Sequence, residues 1–227
     1  MPDHPGRVRY TLAPKPANDL VESADEKLLN KTIAELPGQL HSDVASARVS
    51  SDMTYVITAA HPDDATTLGP LHLRNWLENY PNAAAGVDES WIREHRGSSA
   101  TAEGITEWRE FIEVANQHPA PHFCRVVRSE TEIVGYLCGH WEESVTLGPM
   151  YLLSDAQGHG LGDRLMAEFF TWAGPARIRL GVADYNGRAI RFYLRHGFEI
   201  TGERYLWRGR MPTLPMTREA LSAADLG

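Results

Sequence analysis

The chain has 227 residues, 42% hydrophobic and 23% charged, which fits one full-sized globular domain, or a domain of about 170 residues with an appendage, and excludes a mainly disordered chain. A net charge of −8 counts against nucleic acid as the main partner, because phosphate backbones are held by clustered Lys and Arg; cationic amines suit the acidic balance better. No apolar run approaches the roughly 20 residues of a membrane span, and Met1-Pro2-Asp3-His4 opens no basic-then-apolar signal pattern, so the expectation is a cytoplasmic protein with no membrane partner.

Residues 1–50 read as an N-terminal extension. Pro2, Pro5, Pro14 and Pro16 break its first stretch, and Asn18 or Asp19 then caps a predicted helix running to about Leu36, ended by Pro37-Gly38. Val21, Ala24, Leu28, Thr32 and Leu36 give that helix one mildly apolar face, to be covered by the main domain or by a second copy in a homodimer. Residues 51–220 read as the main domain and 221–227 as a tail. A strand is expected at Tyr55-Val56-Ile57-Thr58. After His61-Pro62-Asp63-Asp64 comes a helix carrying Leu68, Leu71, Leu73, Trp76, Leu77 and Tyr80, which stops at Pro81. Shorter helices follow around Asp88 to Arg96 and Glu103 to Gln117, the second with Ile105, Trp108, Ile112 and Ala115 at helical spacing.

Phe123 to Arg128 and Ile133 to Trp141 read as antiparallel strands around a turn near Glu130-Thr131. The two cysteines, Cys124 and Cys138, flank that turn. They are too few for a disulfide framework or a four-thiolate metal site, and read as buried free thiols facing each other. A third strand spans Val145 to Leu153. Helix then alternates with strand: helix Gly160 to Ala173, strand Arg177 to Val182, helix Gly187 to His196, and strands Glu199 to Trp207 and Thr213 to Arg218. Hairpins followed by this alternation imply a mixed sheet with helices on both faces.

The segment Met150-Tyr151-Leu152-Leu153-Ser154-Asp155-Ala156-Gln157-Gly158-His159-Gly160-Leu161-Gly162 runs from an apolar strand through a polar turn to three glycines that open a helix. The buried stripe of that helix is Leu161, Leu165, Met166, Phe169 and Phe170. Unpaired N–H groups at a helix start, with the positive end of the dipole behind them, suit a phosphate or pyrophosphate. By itself such a turn is also compatible with a nucleotide site or with no ligand. A phosphate-loop NTPase would need Gly-Lys-Ser/Thr where Gly160-Leu161-Gly162 stands. A dinucleotide fold would have an acidic residue about 20 residues on. Asp184 qualifies, but the strand feeding the turn follows antiparallel hairpins and does not begin the fold.

Gln157-x-x-Gly160-x-Gly162 resembles the Gln/Arg-x-x-Gly-x-Gly/Ala motif of the GNAT superfamily of N-acetyltransferases. Asn186-Gly187-Arg188-Ala189-Ile190-Arg191-Phe192-Tyr193-Leu194-Arg195-His196-Gly197-Phe198 is similar to that family's Asn-x-x-Ala-x-x-x-Tyr-x-x-x-Gly-Phe segment. The two stand in the family's order and separation, and the likeness spans roughly Met53 to Glu219. Leu73 to Tyr80, with Trp76 and Tyr80 before Pro81, also resembles the first helix of the polyamine and small-amine branch. The resemblance implies an α/β (α+β) fold with a mixed, mostly antiparallel central sheet of about seven strands, helices on both faces, and strands 4 and 5 splayed apart. It implies an enzyme with acetyl-coenzyme A as co-substrate and a primary amine of a small molecule, amino-acid-like compound or peptide as acceptor, attacking directly in a ternary complex.

By the same resemblance, backbone groups near Leu152 and Leu153 hold the pantetheine arm, an N–H near Leu152 donates to the oxyanion, and Gly148-Pro149 makes a bulge before the opening. Gln157, Gly158, His159, Gly160, Leu161 and Gly162 form the pyrophosphate turn, and Asn186 contacts the pantetheine as well as capping its helix. Tyr193 is the expected general acid for the departing thiolate; a phenol near pKa 10 facing a thiol near 8.5 makes the transfer only modestly uphill. No general base is assigned: the third hairpin strand contains no carboxylate, and Glu142, Glu143 and His140 precede it. His118 and His122 are four apart, but Pro119 and Pro121 forbid a helix between them, so no metal is expected. The competing reading is a non-catalytic acyl-coenzyme A sensor or interaction module on the same fold.

Overall fold

Strand β1 (Val56–Ala59) leads into a 3-10 turn at Pro62–Asp64, where the His61 side chain caps Asp63 N–H, and then into helix α1 (Ala65–Asn79), which ends before Pro81. These elements open a computed structural model that describes residues 54–221. The helix expected from Asp19 to Leu36 and most of the tail lie outside the described residues. Asp88 accepts from Trp91 N–H at 2.8 Å to start α2 (Glu89–Arg96), and Thr101 accepts from Gly104 N–H at 3.2 Å to start α3 (Ala102–Gln117).

The hairpin strands are β2 (His122–Arg128), β3 (Ile133–Trp141) and β4 (Val145–Leu152). Helix α4 (Leu161–Ala173), strand β5 (Ile178–Ala183) and helix α5 (Gly187–Arg195) follow. The chain closes with β6 (Glu199–Ile200), β7 (Tyr205–Trp207) and β8 (Met211–Arg218). The sheet has eight strands in the order β1-β2-β3-β4-β5-β8-β6, with β7 also pairing with β8. The count exceeds the expected seven because the single strand read from Glu199 to Trp207 is two short ones; Gly202 between them turns through φ 76°.

Cys124 and Cys138 are direct cross-strand partners, buried and unbridged, with their Sγ atoms 3.3 Å apart. Tyr136 packs on Trp108 of α3, while Phe169 of α4 packs against Phe123 and closes over Gly139, where a Cβ would lie 2.4 Å from its ring. Tyr136 and Gly139 have opposite parity on one strand and so point to opposite faces, which places α3 and α4 on the two sides of the sheet. The main core joins Leu137, Leu165, Met166, Phe169 and Phe198. A smaller cluster of Trp76, Val87, Trp91, Ile92, Ala183 and Met211 ties α1 and α2 to the ends of β5 and β8.

The strand that matters for function is β4. Leu137 pairs with Met150 and Gly139 with Leu147, so Gly148 and Pro149 together oppose Cys138 alone, forming the expected bulge. A Cβ on Gly148 would lie 3.0 Å from the Cys138 carbonyl oxygen, and Pro149 has no N–H for a ladder. The parallel pairing of β4 with β5 is confined to Val145↔Ile178 and Thr146↔Arg179. Beyond Thr146 the two strands part and leave a gap.

Candidate active site

The glycine turn opens at the mouth of that gap. Gly158 (φ 86°) and Gly160 (φ 69°) both take the left-handed conformation, and a Cβ at either would meet nothing within 4 Å. Gly160 is the N-cap of α4 and supplies no side-chain acceptor, so the first-turn N–H groups point into open space with the helix dipole behind them. Leu161 contributes only backbone there, since its side chain is buried in the core. His159 is exposed, its ring 5.4 Å from that of Tyr55. Gly162 has a different reason: a Cβ would come 3.0 Å from the Phe192 ring, so its smallness lets α5 pack on α4. His196 Nε2, 3.0 Å from Asp163 Oδ1, ties the same two helices.

On the β4 side of the gap, Leu153 N–H donates to the Val134 carbonyl at 2.8 Å and Leu153 carbonyl accepts from Ala156 N–H at 3.0 Å. Leu153 therefore keeps no free N–H for a ligand. Ladder alternation turns the N–H and C=O of Leu152, and of Met150, away from β3 and toward the gap. The Leu152 carbonyl is taken by Gln157 Nε2 at 2.8 Å, leaving its N–H as the open donor. Gln157 Oε1 in turn accepts from Arg188 of α5, so this side chain links the end of β4 to α5. Asn186 Oδ1 accepts from Ala189 N–H at 3.0 Å and caps α5. Tyr193 lies half-buried on α5, edge-on to Phe198 at 5.7 Å, and burial followed by the neighbouring Tyr80 phenol pushes its hydroxyl well above the usual phenol range.

The opposite wall is an aromatic chamber that motif reading only touched at Trp76 and Tyr80. His72, Trp76 and Tyr80 recur every four residues along α1 and share one face. Tyr136 and Tyr151 are cross-strand partners on β3 and β4. Trp76 stacks on Tyr80 at 4.2 Å, Tyr151 donates to the Tyr80 hydroxyl at 3.2 Å, and Tyr185 donates to the Tyr80 carbonyl at 2.8 Å. His72 Nδ1 is 2.7 Å from the Tyr136 hydroxyl. Burial keeps the phenols of Tyr80, Tyr136 and Tyr151 neutral. The available signal was the spacing of four on α1, which includes a His that a purely apolar pattern skips.

Glu142, Glu143 and His140 sit at the other end of β4. His140 pairs with Thr146, six residues before Leu152, which is roughly 20 Å along a strand. They do not join this site. His72 does, but burial lowers its pKa from 6.5 to about 3, with Arg96 adding to the effect. The folded state thus holds the imidazole neutral while the unfolded chain protonates it below about pH 6.5, so its contribution to stability is present above that pH and is lost as pH falls toward 3. His122 and His140, also lowered, act in the same direction. Urea midpoints of the protein should fall between pH 6.5 and 4.5 more steeply than those of His72→Gln; parallel curves would contradict a buried neutral imidazole at this position.

Residues 76–198 match the acetyltransferase (GNAT) family, a span that includes the whole gap, the glycine turn and α5. Uncharacterized N-acetyltransferases of Mycobacterium tuberculosis and Mycobacterium bovis are 33% identical over 147 residues, covering 62% of this chain and 86% of theirs. Among solved structures, PaiA N-acetyltransferase from Thermoplasma acidophilum in complex with coenzyme A superposes with a TM-score of 0.57 at 20% identity, over 74% of this chain and 99% of that one. A GNAT-family acetyltransferase from Streptococcus pneumoniae gives 0.58 at 19% identity, over 74% and 100%. With the sheet parted at β4 and β5, a glycine turn at the mouth and more than half of its length matched, the chain belongs to the GNAT family of N-acetyltransferases.

Proposed function

We propose that this protein moves an acetyl group from acetyl-coenzyme A to the primary amine of a small molecule, amino-acid-like compound or peptide, by direct attack with both substrates bound. The observation that carries the reading is the gap between β4 and β5, open from Thr146 onward, with unpaired helix N–H groups at one end and the aromatic chamber at the other. The coenzyme A complex of the Thermoplasma relative supports the same donor here. The pyrophosphate rests on N–H groups from Gly158 to Gly162, and the pantetheine arm runs along β4 past Leu152. The Leu152 N–H then faces the thioester oxygen, where it stabilises the tetrahedral oxyanion. Holding amine and thioester together supplies much of the acceleration.

Tyr193 gives its proton to the sulfur as the C–S bond breaks, and the proton that the nitrogen sheds on becoming an amide returns through water to restore the phenol. Its raised pKa makes it a weaker acid than a free phenol, but the burial that penalises phenolate also penalises a buried thiolate, so the transfer stays within reach. His72 is not the base. Burial and the neighbouring Arg96 hold its imidazole neutral and weakly basic, so the amine loses its proton to water before it enters. The test is thiol release from acetyl-coenzyme A against a panel of amines, with product mass measured in parallel. Amine-dependent release with a gain of one acetyl group supports the transfer. Tight coenzyme A binding without release from any amine would leave the sensor reading in its place.

A further inference from the structure

Arg96, the last residue of α2, packs on two touching indoles, its Cζ 4.4 Å from the Trp76 ring centroid and 4.5 Å from that of Trp207, with the two centroids 5.3 Å apart. Such cation–π contacts hold a guanidinium without neutralising it. Arg96 ion-pairs with no carboxylate among the described residues. The groups that act on its charge are the phenols of Tyr151, Tyr80 and Tyr136 and a second cation, Arg208, which itself lies 5.5 Å from the Trp207 ring centroid. The nearby acid Asp184 is committed to Arg204 at 2.6 Å.

Two donors in this stack lack an acceptor: Arg96 Nε and Trp76 Nε1 are both buried with no hydrogen-bond partner. A buried orphan donor costs about 1–3 kcal/mol, more when charged, so two of them in one stack mark a place built for something that accepts. Arg96 as a whole is only half-buried, and its Nη atoms, which bond to nothing else described, are the part open to a ligand. They belong to the same chamber as Tyr151, the residue before Leu152.

Resting on the transfer reading above, we propose that the acceptor amine carries a carboxylate that pairs with Arg96, so that acceptors are amino-acid-like and not polycationic. The planar fork of the guanidinium, held against the two indoles, matches a planar carboxylate met edge to edge. The aromatic floor takes an apolar side chain, and the amine is left facing the Leu152 end of the gap. This narrows the cationic amines suggested by the chain's net charge, and sets aside the polyamines of the polyamine and small-amine branch that Leu73 to Tyr80 resembles. A polyamine would need free carboxylates in the chamber, and Asp184, the acid beside Tyr185, is already paired with Arg204.

Matched pairs decide it: L-phenylalanine with 2-phenylethylamine, and L-leucine with 3-methylbutylamine, alongside spermidine. Each is titrated calorimetrically into the protein saturated with coenzyme A and assayed for thiol release from acetyl-coenzyme A. The acid of each pair should bind roughly 10- to 100-fold tighter than its amine partner, the range for a hydrogen-bonded charge pair. Arg96→Met should erase that difference, Arg96→Lys should restore part of it, and coenzyme A affinity should stay within about twofold. An amine or spermidine that binds as well as the acids, or acids that bind equally to Arg96→Met, would overturn the proposal. So would a failure of both acids to bind at millimolar concentration, even if other amines are acetylated. Arg96-dependent binding of acids with no thiol release from any amine would instead refute the transfer reading and leave the carboxylate site standing.

Discussion

Gly160→Val is expected to abolish coenzyme A binding while leaving the protein folded. At φ 69° the position is left-handed, where a residue with a Cβ costs roughly 1–2 kcal/mol, a fraction of the 5–15 kcal/mol that stabilises an ordinary domain. A Cβ there would meet no atom within 4 Å beyond its immediate chain neighbours, so the side chain projects into open space. The open space it fills is the space assigned to phosphate oxygens. Gly209→Val supplies the control: it too is left-handed (φ 70°) with nothing near its Cβ, but lies in the β7–β8 turn. Calorimetry should show binding lost in the first variant and kept in the second. Unchanged affinity in Gly160→Val would remove the glycine turn from the site.

Tyr193→Phe should lower kcat by roughly 10²- to 10⁴-fold, the usual loss for a positioned acid. The ring and its edge-on packing against Phe198 survive the change, and the hydroxyl makes no hydrogen bond among the described residues. Stability and KM for acetyl-coenzyme A should therefore hardly move, because the proton matters only as charge develops on sulfur. Near-normal kcat would mean that water protonates the leaving group. Lost stability with normal specific activity would mean that the hydroxyl serves packing alone.

Much of this was legible in the chain. The stripe Leu161, Leu165, Met166 and Phe169 is buried as its spacing predicts, and the hairpin strands fall within a residue or so of their expected bounds. The bulge at Gly148-Pro149 was readable because Pro lacks a donor and Gly tolerates the bend. Other features depend on register, which no local pattern states. Tyr136 and Tyr151 meet only because the bulge shifts β4 by one residue against β3. Arg96 reads in sequence as an ordinary cation at a helix C-terminus, and its contact with both indoles needs Trp207 brought from more than a hundred residues away. Gln157 was matched to a phosphate motif, but its side chain turns back to Leu152 and Arg188, a role that appears only when β4, the glycine turn and α5 are assembled.

The most direct test of the central claim, that coenzyme A enters the gap between β4 and β5 with its phosphates on the glycine turn, is amide hydrogen exchange with and without coenzyme A. Gly158 to Asp163 should exchange rapidly in the free protein, since the first-turn N–H groups of α4 lack intrahelical acceptors, and should slow on binding together with Leu152. The hairpin end of the sheet, at Trp141 to Thr146, should not change. Protection confined to that hairpin end, with Gly158 to Asp163 unaffected, would contradict the account.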